Sequence, residues 1–182
     1  KRNWKDGEPD GLWEGYHDNG QLEFKKNYKD GKPDGLGEKY YKNCQLMWKG
    51  NYKDDEPDGL WETYYNNGQL GEKHNFKNGK EEGLWEGFNK NGTLSYRCYY
   101  KKGKLEGPSE EYDQGKIETR FIYKDGKIEV EDHFLYPTDH LNYRNVYKDG
   151  NLQLEEHYLE GGPLFSRKVY KDGKLEVEEE YS

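Results

Sequence analysis

Of the five histidines, two recur at a repeat interval: His133 in EVEDHF and His157 in QLEEHY stand 24 residues apart, each just after a pair of acidic residues. Imidazole beside carboxylate is the donor set of many divalent metal sites. If the interval is one structural repeat of two strands, however, the two side chains lie about 10 Å apart at ~4.8 Å per strand. One small ion cannot bridge them, so the sequence reads as solvated acidic strands with no metal. The KDGKPDG stretches place carboxylates close together, but not at the spacing of an EF-hand loop, and their Asp-Gly pairs serve as turns. Cys44 and Cys98 fall about four strands, roughly 19 Å, apart, beyond the ~7 Å that disulfide geometry allows. Both are expected to be free, with Cys44 at a turn and reactive in the native state. The sequence carries no G-x-S-x-G, phosphate loop or HExxH. No catalytic residue, cofactor-binding residue or cofactor is expected, and the chain is read as a protein that is not an enzyme. Repeated aromatic rings could instead cage a choline or cell-wall ligand. Such arrays run near 20 residues and lean on Trp, whereas this one runs 24 and leans on Tyr, so the rings read as cover for a thin sheet.

The elements that would position these residues follow from the period. Asp10-Gly11, Asp34-Gly35, Asp58-Gly59, Glu82-Gly83 and Glu106-Gly107 recur every 24 residues, as do Tyr16, Tyr40, Tyr64, Phe88 and Tyr112. Leu22, Leu46, Leu70, Leu94, Ile117, Leu141 and Leu164 continue the series with two steps of 23. Self-similarity at this spacing marks a repeat architecture. Within a unit, Asn19-Gly20 and Asp30-Gly31 are both dipeptides that accept the two left-handed positions of a type I′ hairpin turn. The segments between them are short and aromatic, without a helical period. A two-residue loop at Asn19-Gly20 places Gly15 across from Phe24 and Gly11 across from Tyr28, so that each ring covers bare glycine backbone. In the third unit Thr63 faces Glu72, ring and glycine being lost together. In the second, Lys39 faces Trp48, for which a cation–π contact is the reading, and Cys44 replaces the turn glycine.

Composition bounds the core. The chain has 18 Tyr, 6 Phe and 5 Trp but no Ala, and 30% hydrophobic residues. That is too little aliphatic mass for a thick two-layer core, and no apolar run approaches the ~20 residues of a membrane span. The net charge of −8 is uneven: residues 1–107 hold 19 Lys and Arg against 19 Asp and Glu, while 108–182 hold 10 against 18. A basic footprint for nucleic acid is lacking, and a basic protein partner fits better.

The run GLWEGYHDNGQL followed by NYKDGKPDG resembles the MORN-repeat family, and within it the bacterial variant found in YwqK-type antitoxin proteins. The resemblance implies an all-β fold: an elongated single-layer antiparallel sheet of about 16 strands built from tandem 23–24-residue hairpins, near 70 Å long at ~4.8 Å per strand. The whole of 1–182 is read as one array, with a partial unit at 1–11, well-formed repeats over 12–107, degenerate acidic repeats over 108–177 and a terminal strand at 178–182. The chain starts within a repeat and is expected to be cut from a longer protein. The functional expectation is a non-catalytic protein-binding module, an antitoxin or immunity protein gripping a basic toxin. Its candidate partner-binding residues are Glu129, Glu131, Asp132, Glu155, Glu156, Glu176, Glu178, Glu179 and Glu180, with Tyr41, Trp48 and Tyr65 as apolar anchors or as rings packed on their neighbours. The alternative is a secreted or cell-surface structural repeat protein of the bacterial envelope. An immunity protein would be cytoplasmic, and an envelope protein would carry an upstream signal peptide.

Overall fold

The computed structural model describes residues 2–181. The chain divides into two compact units, residues 1–93 and 94–182. In the first, a two-stranded ladder of β1 (Trp4–Lys5) and β2 (Glu8–Pro9) precedes β3 (Gly11–Tyr16), β4 (Leu22–Lys29), β5 (Lys32–Tyr40), β6 (Leu46–Lys53), β7 (Glu56–Tyr64), β8 (Leu70–Lys77), β9 (Lys80–Glu81) and β10 (Gly83–Phe88). The second holds β11 (Leu94–Lys101), β12 (Lys104–Asp113), β13 (Lys116–Lys124), β14 (Lys127–Leu135), β15 (His140–Lys148), β16 (Asn151–Tyr158), β17 (Leu164–Lys171) and β18 (Lys174–Glu180). Sixteen strands, β3 to β18, follow one another in an antiparallel sheet in chain order, β9 pairing only with β8, so the tandem hairpin reading is the observed fold. The last strand begins at Lys174, four residues before the expected 178.

The two turn classes differ, and the difference corrects the sequence reading. Asp30 and Gly31 have φ of 46° and 80° with Lys29 paired to Lys32, which makes a two-residue type I′ hairpin as expected. At the other rim only Gly20 is left-handed; Gly20 N–H donates to His17 C=O and His17 N–H to Gln21 C=O. That is a type I turn closed by a glycine bulge, not a two-residue loop. Asn19 gains from it, because its Oδ1 accepts the Gln21 N–H at 3.1 Å. The register summing to 39 survives from Gly11–Tyr28 to Gly15–Phe24, then slips at Tyr16–Leu22 to accommodate the bulge.

The second Asp-Gly of each repeat is not a turn. Gly35, at φ 92°, lies where the β4–β5 register jumps from Lys26–Gly37 to Tyr28–Pro33, leaving extra residues on one strand as a bulge. Where Val130, Leu154 and Val177 replace that dipeptide, the ladder slips by one residue instead of two.

A sheet without a second layer must be stitched from repeat to repeat. At one rim Gly31, Asp55 and Gly79 donate their N–H groups to the carbonyls of Pro9, Pro33 and Pro57 of the preceding repeat. At the other, Tyr41 Oη donates to Tyr64 C=O and Tyr65 Oη to Phe88 C=O, both at 2.8 Å. Asn43 and Asn67 reach the carbonyls of Asn66 and Lys90 in the same manner. Among the described residues Cys98 is the one buried hydrophobic side chain, and most rings stay half-buried while Trp4, Tyr16 and Tyr136 are exposed. No helix here is long and apolar enough to cross a membrane.

Candidate functional site

Period-2 alternation sorts each strand onto two faces. One face of the first unit carries rings: Trp13 on Tyr28 at 5.0 Å, Trp48 stacked on Trp61 at 5.3 Å, and Trp61 edge-on to Tyr52 and Phe76. Glycine admits them. A Cβ on Gly15 would lie 2.2 Å from the Phe24 ring, and one on Gly50 would lie 2.3 Å from Trp61. The first contact matches the cross-strand expectation. Gly11 differs: its position is set by φ 87°, and its nearest neighbour is Asn3 rather than Tyr28. Trp48 does oppose Lys39, but its ring stacks on Trp61 of the next strand; the cation–π contact in this region is Lys26 over Tyr52 at 3.8 Å. Burial lowers the Lys26 pKa there.

The opposite face carries a row of charges that alternates in sign strand by strand. In the first unit Glu14, Lys25, Glu38, Lys49, Glu62, Lys73 and Glu86 face one another in succession. In the second, Arg97, Glu110, Arg120, Asp132, Arg144, Glu156, Arg167 and Glu179 do the same. The pairs close tightly: Lys25 to Glu38 and Lys49 to Glu62 at 2.6 Å, Arg144 to Asp132 through two hydrogen bonds at 2.7 and 3.0 Å. A tyrosine two residues on donates to the carboxylate, as from Tyr40, Tyr64, Tyr112 and Tyr158. Burial pushes Glu62, Glu110 and Glu156 up, but hydrogen bonds from tyrosine and from Lys49, Arg97 and Arg167 outweigh it and hold all three below the usual carboxylate range. The tyrosines answer in the other direction, with Tyr112 and Tyr158 pushed up to about 12, first by burial and then by the glutamate.

This row decides where the candidate residues stand. Asp132 is 3% exposed and Glu156 6%, so both are paired structural charges and drop out of an exposed acidic surface. Glu179 ends the row opposite Arg167. Glu131 and Glu155 lie half-buried on the ring face. Glu131 accepts from Asn145 and Tyr147 and contacts His133 Nε2 at 3.0 Å; Glu155 contacts His157 Nε2 at 2.9 Å. The Tyr143 ring stands between the two imidazoles, 4.2 Å from one centroid and 6.0 Å from the other. Glu129, Glu176, Glu178 and Glu180 are exposed, with loose ion pairs of 3.5–4.0 Å from Lys124 to Glu129, Lys168 to Glu178 and Lys171 to Glu176. Of the three candidate anchors, Tyr41 and Tyr65 are the rim staples and Trp48 belongs to the ring stack; all pack on their neighbours. Cys44 is exposed at φ 67° and Cys98 buried, both free, and burial raises the Cys98 thiol to about 11.

Outside the paired row, β18 is exposed along its length and carries Glu176, Glu178 and Glu180 beside Glu179 at the row's end. Sequence reasoning found those residues but missed the charge row, although Lys25, Lys49, Lys73 and Arg97 at 24-residue steps signal it.

A family model described as MORN repeat variant matches residues 9–30, 57–78 and 81–102. No curated protein matches the chain. Among solved structures, a mutant of TarM from S. aureus, in complex with Fondaparinux, alpha-GlcNAc-glycerol and UDP, is similar at 10% identity and a TM-score of 0.30. The likeness covers 65% of this chain and 19% of that one and carries no argument. The chain is thus a tandem-hairpin repeat protein with the MORN repeat variant matched at three places along it.

Proposed function

We propose that the chain is a non-catalytic protein-binding module, an antitoxin or immunity protein of a bacterial pair, whose exposed acidic strands hold a basic partner. The observation that carries this reading is the split between two sets of carboxylates. Asp132 and Glu156 are consumed by Arg144 and Arg167, whereas Glu129, Glu176, Glu178 and Glu180 stay exposed in a stretch with an excess of negative charge. Exposed charge of one sign steers and selects an oppositely charged partner. The test is a pull-down from the native cell at low and high salt, using the wild-type chain and a variant with Glu129, Glu176, Glu178 and Glu180 changed to Lys. A protein partner held at low salt, released at high salt and lost in the variant supports the reading. Recovery of peptidoglycan alone, or of a partner indifferent to the substitutions, counts against it.

A further inference from the structure

Asparagine followed by glycine is a chemically labile dipeptide, because glycine has no side chain to keep its nitrogen from the asparagine amide carbon. The chain has four: Asn19-Gly20, Asn67-Gly68, Asn78-Gly79 and Asn91-Gly92, all within the first unit. In each the glycine N–H is engaged at 2.8–3.0 Å. Gly20, Gly68 and Gly92 donate to His17, Tyr65 and Asn89 inside the same turn, and Gly79 donates to Pro57 of the preceding repeat. The attacking nitrogen therefore does not set one pair apart from the others, and any difference must come from the asparagine amide.

Three of the amides are held by two hydrogen bonds. Asn19 Oδ1 accepts the Gln21 N–H at 3.1 Å and its Nδ2 donates to Gln21 Oε1 at 2.9 Å. Asn67 Oδ1 accepts the Gln69 N–H at 3.1 Å and its Nδ2 donates to Lys90 C=O at 3.0 Å. Asn91 Oδ1 accepts from Thr93 N–H at 3.0 Å and from Thr93 Oγ1 at 2.7 Å. Asn78 stands at the opposite rim, in a type I′ turn with φ 50° followed by 71° at Gly79, Lys77 pairing with Lys80. Its backbone N–H reaches Asp58 Oδ1 at 3.4 Å, but its exposed side chain has no hydrogen-bond partner among the described residues. Asp30, Asp54, Asp125, Asp149 and Asp172 hold the same left-handed place in sister turns.

We propose that Asn78-Gly79 is a site of spontaneous covalent modification in the folded chain. The Gly79 nitrogen attacks Asn78 Cγ; the N–Cγ bond forms, the Cγ–Nδ2 bond breaks, and Nδ2 leaves as ammonia with the proton that Gly79 gives up. Water then opens the five-membered imide. Cleavage of the new N–Cγ bond leaves aspartate, and cleavage of the original peptide bond leaves isoaspartate, with the main chain routed through Cβ and Cγ. Nothing is oxidised or reduced, and water is the sole co-reactant. The two products differ in consequence. Aspartate is what five sister turns already carry, so the turn accepts it. Isoaspartate adds a methylene to a two-residue loop and draws the Gly79 N–H off Pro57 C=O, which is the stitch between repeats at that rim. Either product adds a negative charge to residues 1–107, whose charges otherwise balance.

The test incubates the full 182-residue chain in mildly alkaline buffer, folded and in parallel in concentrated urea. Peptide mass spectrometry follows the amide-to-acid mass gain at each pair, and an isoaspartyl methyltransferase scores isoaspartate. In urea the four pairs should react alike, since the dipeptide is the same. In the folded chain Asn78 should react about tenfold or more faster than Asn19, Asn67 and Asn91, because freeing an amide from two hydrogen bonds costs roughly that factor in reactive population. Equal reaction at any of those three, or an Asn78 that stays intact while the urea sample converts, overturns the proposal. The aged fraction carrying isoaspartate should exchange its Gly79 amide faster than fresh protein, whereas Asn78→Asp should exchange it like wild type. Unchanged Gly79 exchange in the aged fraction overturns the assigned loss of the stitch.

Discussion

At the scale of single residues, glycine and aromatic rings hold a sheet that has no second layer. Gly50 has a backbone that alanine could adopt, yet its missing Cβ is the space that Trp61 fills at 2.3 Å. Gly50→Ala is expected to destabilise the fold by about 1–3 kcal/mol, the usual cost of overpacking. Urea unfolding checks it, and Trp61→Leu in the same chain should recover part of the loss. His74 is 9% exposed between Phe76 and Trp85, and burial lowers its pKa despite nearby Glu72 and Glu81. An imidazole easier to protonate when unfolded leaves stability full above about pH 6.5 and removes it as pH falls below that value. The buried row carboxylates, also held low, add their loss only below about pH 4.5. Thermal melts of His74→Phe should therefore show a flatter decline than wild type as pH falls below about 6.5.

At the scale of elements, the charge row and the rim staples take the place of a core. Asp132 is nearly sealed, so Arg144→Met leaves a buried carboxylate with Arg120 as its remaining neighbour in the row. Breaking a fully buried pair costs about 3–5 kcal/mol. The Arg144 side chain is 38% exposed, so solvent screening brings the expectation down to roughly 1–3 kcal/mol, read from denaturant midpoints. Lys124→Met, whose partner Glu129 is 3.9 Å away and exposed, should change stability by under about 0.5 kcal/mol. Strands, pairing and the first Asp-Gly turn of each repeat were legible in the sequence because period, turn dipeptides and aromatic positions all point the same way, whereas the second Asp-Gly, read as a turn, is a bulge. The Asn-Gly rim was not, because the same dipeptide serves a type I′ turn and a type I turn with a glycine bulge, and the choice depends on a slip at Tyr16 that leaves no mark on residue type. The acidic candidates divided for a similar reason. In EVEDHF the residue that points to the row face is settled by a register slip between Ile122 and Tyr123, and one residue either way exchanges Glu131 with Asp132.

At the scale of the molecule, strands β3 to β8 and β11 to β18 pair with their neighbours in sequence, so stability adds along the array in nearest-neighbour terms and unfolding is expected to begin at terminal repeats. Opposite charges cancel within the row, and the surplus negative charge of residues 108–182 is left to exposed strands such as β18. On the proposed function, this acidic stretch is where the chain meets its partner. Hydrogen exchange of the complex recovered at low salt, compared with the free chain, tests it most directly. New protection is expected in residues 108–182, strongest in β18, with residues 1–93 unchanged; protection confined to residues 1–93 would overturn the acidic-surface reading.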